Sequence, residues 1–173
     1  MFKRIIAVFI FAFLLQSCNA AGPNQQVKFE TTQGTFTVEL FSDVPITTKN
    51  FTDLVTKGFY NGLVFHRYVP NFVIQGGDPT GTGMGGSDKT IPLEITKHQH
   101  VKGALGMARS QDPNSASSQF YICLADVHNL DGNYCVFGQV IDGMDTVLKL
   151  QKGDKMTKVT LLTKDSASTV MGK

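Results

Sequence analysis

Apolar and polar residues alternate along most of this chain in the manner of short β-strands. Phe36, Val38 and Leu40 share one face of a strand, and the Gln33-Gly34 turn just before them predicts a hairpin. The predicted strands cover residues 27–31, 35–41, 63–68, 72–75, 91–95, 104–108, 119–125, 135–141 and 158–163. This many short strands, bounded by turn residues, predict an all-β fold with a closed sheet.

Two segments carry apolar residues at helical spacing instead. The first begins near Pro45, a residue type typical of a first helical turn, and ends before Gly58. The second is shorter and lies around Met144 to Leu148. Two helices are too few to connect the strands in a parallel βαβ order, so the all-β prediction stands.

Residues 1–21 have the organisation of a signal peptide. Lys3 and Arg4 form a positive start, and an unbroken apolar run of eleven residues follows them. A membrane-spanning helix needs about 20 apolar residues, so the run fits the core of an export signal better than a span. We therefore expect export to a bacterial cell envelope and a periplasmic location.

The end of this segment leaves two forms of the mature protein open. Leu15-Gln16-Ser17-Cys18 is similar to the lipobox of bacterial lipoproteins, in which the cysteine is lipidated. We favour this form, with Cys18 as the lipid anchor and residues 22–26 as a short spacer. The alternative is cleavage beyond Ala20, which removes the cysteine and gives a soluble periplasmic protein.

Length and charge narrow the function classes. The chain has 173 residues, 42% of them apolar and 17% charged, which is ordinary for one globular domain. Removal of the signal, with Lys3 and Arg4, leaves 14 basic and 14 acidic residues. No basic patch remains, so a nucleic-acid partner is not expected.

Several features that could suggest other chemistry have simpler interpretations. Cys123 and Cys135 could pair in an oxidising envelope, but both lie in apolar strands and are expected to be buried free thiols. His98 and His100 lack a third ligand at a useful spacing, so no metal site is predicted. The glycine-rich segment 81–86 lacks the Lys-Ser/Thr of a phosphate-binding loop and is interpreted as a plain loop.

The most informative chemistry lies in the middle of the chain. Arg67 is a single guanidinium on an apolar strand, and the segment 72–75 is an apolar run that ends in the amide of Gln75. Such a pair suits a neutral ligand that is rich in carbonyl groups and has apolar side chains. A hydrolase is not expected, because no activated nucleophile accompanies the arginine.

A series of ordered motifs resembles the cyclophilin family of peptidyl-prolyl isomerases, from about Val27 to Leu162. The motifs are Asn50-Phe51, Phe65-His66-Arg67, Phe72 to Asp78, Gly103 to Arg109, Ser115 to Ile122, Leu130-Asp131-Gly132 and Val136-Phe137-Gly138. The resemblance implies a closed eight-stranded antiparallel barrel capped by two α-helices. We assign residues 27–165 to this domain and residues 166–173 to a flexible tail.

The resemblance also implies a set of site residues. Arg67 is the catalytic residue and Gln75 positions it. The proline ring is expected in a pocket of Phe72, Val73, Tyr121, Leu130 and Tyr134. The residues before the proline are expected to be held by Ala108, Arg109 (mainly through its backbone) and Gln119. No cofactor or metal is implied.

The chemistry of such a site can be argued from the peptide bond itself. Rotation about an X–Pro bond crosses a barrier of about 18–20 kcal/mol because the nitrogen lone pair is delocalised into the carbonyl. At the twisted transition state the lone pair is localised on nitrogen and accepts a hydrogen bond. A permanently protonated donor such as Arg67 would therefore stabilise the transition state more than the planar ground state.

These arguments predict an isomerase that accelerates X–Pro isomerisation in exported or envelope proteins, with proline-containing polypeptides as partners. The alternative is a module that holds proline-containing segments, as a binder or adhesin, without turnover. The protein is expected to be monomeric and to meet a membrane only through a lipid at Cys18. Asn129 stands where many cyclophilins have tryptophan, so weak cyclosporin binding is expected.

Overall fold

The computed structural model describes residues 24–162. The predicted signal peptide, the lipidation site at Cys18 and the tail over 166–173 lie outside these residues. The first strand begins at Gln26, and the Gln25 carbonyl already accepts a hydrogen bond from the Leu40 N–H at 2.8 Å. The sheet therefore extends into the segment predicted as a spacer, 22–26.

Eight strands, two α-helices and one 3₁₀ helix make up residues 24–162. The strands are β1 (Gln26–Thr31), β2 (Gly34–Leu40), β3 (Arg67–Val69), β4 (Val73–Gly76), β5 (Ala104–Met107), β6 (Phe120–Cys123), β7 (Val136–Asp142) and β8 (Met156–Leu162). The helices are α1 (Pro45–Thr56), the 3₁₀ helix (His128–Leu130) and α2 (Met144–Lys149). The all-β prediction, the eight strands and the two α-helices are confirmed.

The eight strands form one antiparallel sheet in the order β3-β4-β6-β5-β7-β2-β1-β8. The outer strands, β3 and β8, do not share a ladder in the described residues. The segment before β3 approaches the start of β8 through one isolated bridge, Val64 to Lys155, and the Gly62 N–H donates to the Met156 carbonyl at 2.7 Å. The sheet is thus a curled half-barrel, and full closure of the barrel stays a prediction.

The predicted strand over 91–95 is wrong. Only Ile91 forms a bridge, to Ala116, and Pro92 just after it has no N–H to continue a ladder. Glu94 instead turns to the start of α1, where its two carboxylate oxygens accept hydrogen bonds from Ile46 N–H at 3.1 Å and Thr47 N–H at 2.7 Å. The segment therefore caps the helix from outside, because α1 has no side-chain cap of its own.

Strand β6 separates the core from a second apolar cluster. Phe120 and Ile122 point into the main core, where Phe120 contacts the rings of Phe29 on β1 and Phe51 on α1. Tyr121 and Cys123 alternate to the other face and join a smaller cluster with Val73 and its neighbours. The second cluster is the floor of the candidate site.

Both described cysteines, Cys123 and Cys135, are buried free thiols, as expected from the sequence. Burial raises the pKa of Cys123 to about 12 and that of Cys135 to about 11, so neither thiol is a ready nucleophile.

Neither α-helix between residues 24 and 162 is long and apolar enough to span a bilayer.

Candidate active site

A cavity of about 350 Å³ opens beside β3 and β4, on the side of the second cluster. Nine of the ten residues predicted for the site line it: Arg67, Phe72, Val73, Gln75, Ala108, Arg109, Tyr121, Leu130 and Tyr134. The tenth, Gln119, lines a second cavity of about 460 Å³ with the glycine-rich loop 83–86. The two cavities share Gln75, Ala108 and Arg109, so they form one continuous groove.

Strand register brings the polar groups of the first cavity together. The tight connection between β3 and β4 places Arg67 directly opposite Gln75, and β6 then places Tyr121 opposite Gln75 on its other side. Residues that face each other across antiparallel strands project on the same side of the sheet. The arginine, the amide and the tyrosine therefore share one face, although they are far apart in sequence.

The Arg67 guanidinium is held loosely at the edge of the cavity. Its Nη1 donates to the Gln75 Oε1 at 3.4 Å, and its Cζ lies 5.8 Å from the centre of the Phe72 ring. A guanidinium carries five N–H donors. The described residues provide this side chain with one hydrogen-bond acceptor, so the guanidinium retains donors for a ligand in the cavity that it lines.

A chain of amides fixes the orientation of Gln75. Gln119 Nε2 donates to the carbonyls of Gly83 at 3.0 Å and Gly85 at 2.7 Å, which turns its Oε1 toward Gln75. Gln75 Nε2 donates to that oxygen at 2.9 Å, so the Gln75 Oε1 must face Arg67. Two carbonyls that only accept hydrogen bonds thus set the direction of the whole chain.

The loop that supplies these carbonyls is built around a buried carboxylate. Asp78 is 1% exposed and accepts hydrogen bonds from the backbone N–H groups of Thr80, Gly83 and Gly85. Burial alone would raise the pKa of Asp78, but these hydrogen bonds outweigh it and hold the pKa well below its usual range. The loop is therefore an ordered part of the site.

Arg109 differs from Arg67 because the protein already uses its donors. Its guanidinium donates to the carbonyls of Ser110, Gln111 and Asn133 at 2.8–3.2 Å and lies 4.8 Å from the centre of the Tyr134 ring. It clamps the loop after β5 to the loop before β7. Arg109 lines both cavities, at the point where they join.

Tyr121 and Leu130 form the walls of the first cavity that lie away from Arg67. The Tyr121 ring lies over Gly106 of β5, and a Cβ at that glycine would overlap the ring. The 3₁₀ helix carries Leu130, and Tyr134 packs edge-on against Tyr121 with ring centres 6.2 Å apart. Asn129 on the same helix is exposed and does not line the cavity.

Two residues next to the site were not predicted from the sequence as parts of it, Asp78 and His100. His100 lies on a loop, as expected, and its ring contacts both Tyr121 and Asp131. Asp131 is 31 residues away from His100 in the sequence, and no local spacing indicates such a contact.

His98 makes a different contact, because its ring Nε2 is hydrogen-bonded to the carboxylate of Asp43. Within residues 24–162 no cluster of three metal-ligating side chains occurs.

Comparisons with known proteins agree with the fold and the motifs. A family model described as cyclophilin type peptidyl-prolyl cis-trans isomerase/CLD matches residues 26–168. A peptidyl-prolyl cis-trans isomerase of Synechococcus elongatus is 42% identical over 141 residues, which cover 80% of this chain and 97% of that protein. A probable peptidyl-prolyl cis-trans isomerase of Brucella suis is 40% identical over 154 residues, 82% of this chain and 79% of the relative.

Solved structures include a near neighbour of the whole described domain. The crystal structure of a Cryptosporidium parvum cyclophilin type isomerase, determined in the presence of the dipeptide Ala-Pro, superposes with a TM-score of 0.76 and 33% identity. It covers 81% of this chain and 100% of that structure. Fold, motifs and relatives agree, and the chain belongs to the cyclophilin-type family of peptidyl-prolyl cis-trans isomerases.

Proposed function

We propose that this isomerase binds proline-containing segments of exported or envelope proteins in the groove and that Arg67 is its catalytic donor. The observation that carries the proposal is the placement of one loosely held guanidinium beside an apolar cavity. The cavity of about 350 Å³ is large enough for a proline ring, and the cyclophilin from C. parvum was crystallised with a proline dipeptide.

Within the cavity, the proline ring packs between Phe72, Val73 and Leu130, with Tyr121 and Tyr134 closing the far side. These walls exclude water from around the X–Pro bond, which strengthens hydrogen bonds made there. The free donors of Arg67 lie at the edge where the nitrogen of a bound proline would meet them. The guanidinium then hydrogen-bonds the nitrogen as the bond twists, and no proton is transferred.

The second cavity accommodates the residues that precede the proline. Gln119, Ala108 and the backbone of Arg109 border it, and the loop with Met84 and Ser87 forms its outer side. An extended peptide can therefore run from one cavity to the other past Gln75. The shared residues fix how far the preceding side chains lie from the twisting bond.

The function is tested by measuring cis/trans exchange of a short Ala-Pro peptide by NMR, with and without the purified protein. We expect catalytic amounts to increase the exchange rate well above the uncatalysed rate, which corresponds to tens to hundreds of seconds. Chemical-shift changes of the peptide without any increase in exchange would instead support the alternative, a module that binds proline segments without turnover.

The amide chain gives a separate prediction for Gln119→Glu. A carboxylate cannot donate to the carbonyls of Gly83 and Gly85 and is repelled by them, so residue 119 is no longer fixed beside Gln75 and the acceptor that holds the Gln75 amide in place is lost. We expect kcat to fall by about tenfold, the effect of about 1.4 kcal/mol in the transition state. The measurement is the exchange rate at saturating peptide.

Gln139→Glu is the matched control for this prediction. The Gln139 Nε2 also donates to a backbone carbonyl, that of Lys102 at 3.0 Å, but it lines neither cavity. The same chemical change there should leave kcat unaltered. Equal losses in the two variants would show that the amide chain has no special part in catalysis.

The site of action follows from the N-terminal segment and is proposed on the sequence alone. We propose export to the bacterial envelope, with a lipid at Cys18 that tethers the isomerase to a membrane. Intact mass of the protein from membrane and soluble fractions tests this directly, because acylated Cys18 adds the mass of the lipid. A single soluble species that begins beyond Ala20 would contradict the anchor and leave the isomerase function untouched.

Sensitivity to cyclosporin is also part of the proposal. Asn129 provides a small exposed amide where many members of the family carry a large indole, and this loss of apolar contact area supports weak binding. No other partner is proposed beyond proline-containing polypeptides, and the protein is expected to act as a monomer.

A further inference from the structure

Behind the pocket, His100 makes an unusual number of contacts for a loop residue. It is 0% exposed, and four of its polar groups are hydrogen-bonded. Its carbonyl accepts the Val127 N–H at 2.7 Å, at the start of the 3₁₀ helix. Its own N–H and its ring Nδ1 both lie 2.7 Å from the Asp131 Oδ1, at the end of that helix. His100 therefore holds both ends of the helix that carries Leu130.

The fourth contact reaches the opposite wall of the pocket. His100 Nε2 lies 2.9 Å from the Tyr121 hydroxyl, and the two rings are nearly parallel with centres 5.9 Å apart. The hydroxyl extends over Gly106, where the missing side chain leaves space for it. One imidazole thus joins the tyrosine of β6 to the 3₁₀ helix.

The protonation states of Asp131 and Tyr121 determine which atom donates in each hydrogen bond of the His100 ring. The hydrogen bonds from the backbone and ring of His100 lower the pKa of Asp131 to about 2, so its carboxylate is ionised and can only accept. The ring Nδ1 must then carry a proton. In the neutral imidazole Nε2 is left as an acceptor for the Tyr121 O–H. Burial raises the pKa of Tyr121 well above its usual value, so the hydroxyl keeps the proton that it donates.

We propose that His100, with its partner Asp131, is a positioning residue that fixes the two far walls of the proline pocket relative to each other. The proposal rests on the assignment of this cavity as the proline site. His100 does not line the cavity and acts only through Tyr121 and the 3₁₀ helix. Its contribution is therefore to the fit of the proline ring, whereas the amide chain from Gln119 orients the donor.

Two substitutions at His100 separate the bonds. His100→Asn can place an amide near the former Nδ1, which keeps the link to Asp131 and removes the link to Tyr121. His100→Gln can place its amide near the former Nε2, which does the reverse. We expect each variant to raise KM for a proline peptide about fivefold, the effect of one net hydrogen bond, with kcat within about twofold of wild type.

His98→Asn is the matched control. His98 is also a loop histidine bonded to a carboxylate, that of Asp43 at 3.0 Å, but its ring stacks on Phe41 and neither residue lines the cavity. The His98→Asn variant should leave KM for the proline peptide unchanged. Tyr121→Phe should raise KM by itself and should add nothing further in the His100→Asn background, because both changes remove the same bond.

Some results would contradict the positioning role of His100 alone, and another would also contradict the proposed function. Unchanged KM in both His100 variants, while the wild type turns over normally, overturns it, and so does a loss of kcat with KM unchanged. If His100→Asn fails to fold, Asp131→Ala, at a partly exposed position, removes the acceptor of both His100 hydrogen bonds, and an unchanged KM there also overturns it. A wild-type protein that neither binds nor isomerises the peptide overturns the proposed function and this inference with it.

Discussion

Arg67→Ala should abolish most of the isomerase activity while the peptide still binds. The guanidinium lines the cavity and makes one hydrogen bond to the described residues, so it retains donors for a substrate, and these donors act mainly when the X–Pro nitrogen becomes pyramidal. Loss of one preorganised donor to a developing lone pair or charge typically costs about 10²-fold or more in kcat. The measurement is exchange of a proline peptide by NMR at saturating substrate, with the dissociation constant determined on the same samples.

Two variants define what the arginine contributes. Arg67→Lys retains the charge but not the planar set of donors, so we expect activity between wild type and Arg67→Ala. Lys158→Ala removes an exposed cation from β8, outside the groove, and should leave the exchange rate unchanged. Full activity of Arg67→Ala would show that the apolar walls alone catalyse the twist, and the proposed donor role would be wrong.

Phe120→Ala should be the most destabilising single change for the free energy of unfolding. The ring is fully buried and meets four other aromatic rings at centre distances of 5.5–6.5 Å. Truncation of such a residue typically costs about 3–5 kcal/mol, which is a large part of the 5–15 kcal/mol, roughly, that stabilises a domain. Urea unfolding followed by circular dichroism measures the change.

Phe120→Leu is the informative companion, because it keeps most of the apolar volume. It should lose clearly less stability than the alanine variant, and an equal loss would mean that ring packing outweighs burial at this position. Phe120 also precedes Tyr121 on a four-residue strand. We therefore expect the alanine variant to bind proline peptide more weakly even at temperatures where it is folded.

Local patterns were sufficient to predict much of the sheet. The alternation from Phe36 to Leu40 and the buried run before Gln75 both correspond to strands in the structure. The pattern failed over 91–95, where apolar residues flank Pro92 and Glu94. Nothing local shows that this carboxylate caps a helix that begins 49 residues earlier, so the apolar pattern by itself predicts a strand there.

The residues of the site also fall into a group that the sequence could predict and a group that it could not. Its lining residues could be placed through the family resemblance, and nine of the ten line one cavity. The groups that support them could not, because Asp78 and His100 act through loop backbones and through partners distant in sequence. An aspartate followed by several closely spaced glycines, as at Asp78, is a usable sequence signal for such a loop. The contact between His100 and Tyr121 has no equivalent signal in a single sequence.

The bare backbone of Gly106 beneath the Tyr121 ring means that the depth of the proline pocket is set partly by β5, a strand that contributes no wall of its own to it. A side chain at 106 and a large aromatic ring at 121 compete for one volume. Lineages of this isomerase should therefore exchange size between these two positions in a correlated way. Substrate preference could then evolve by a pair of changes, one of which never touches the peptide.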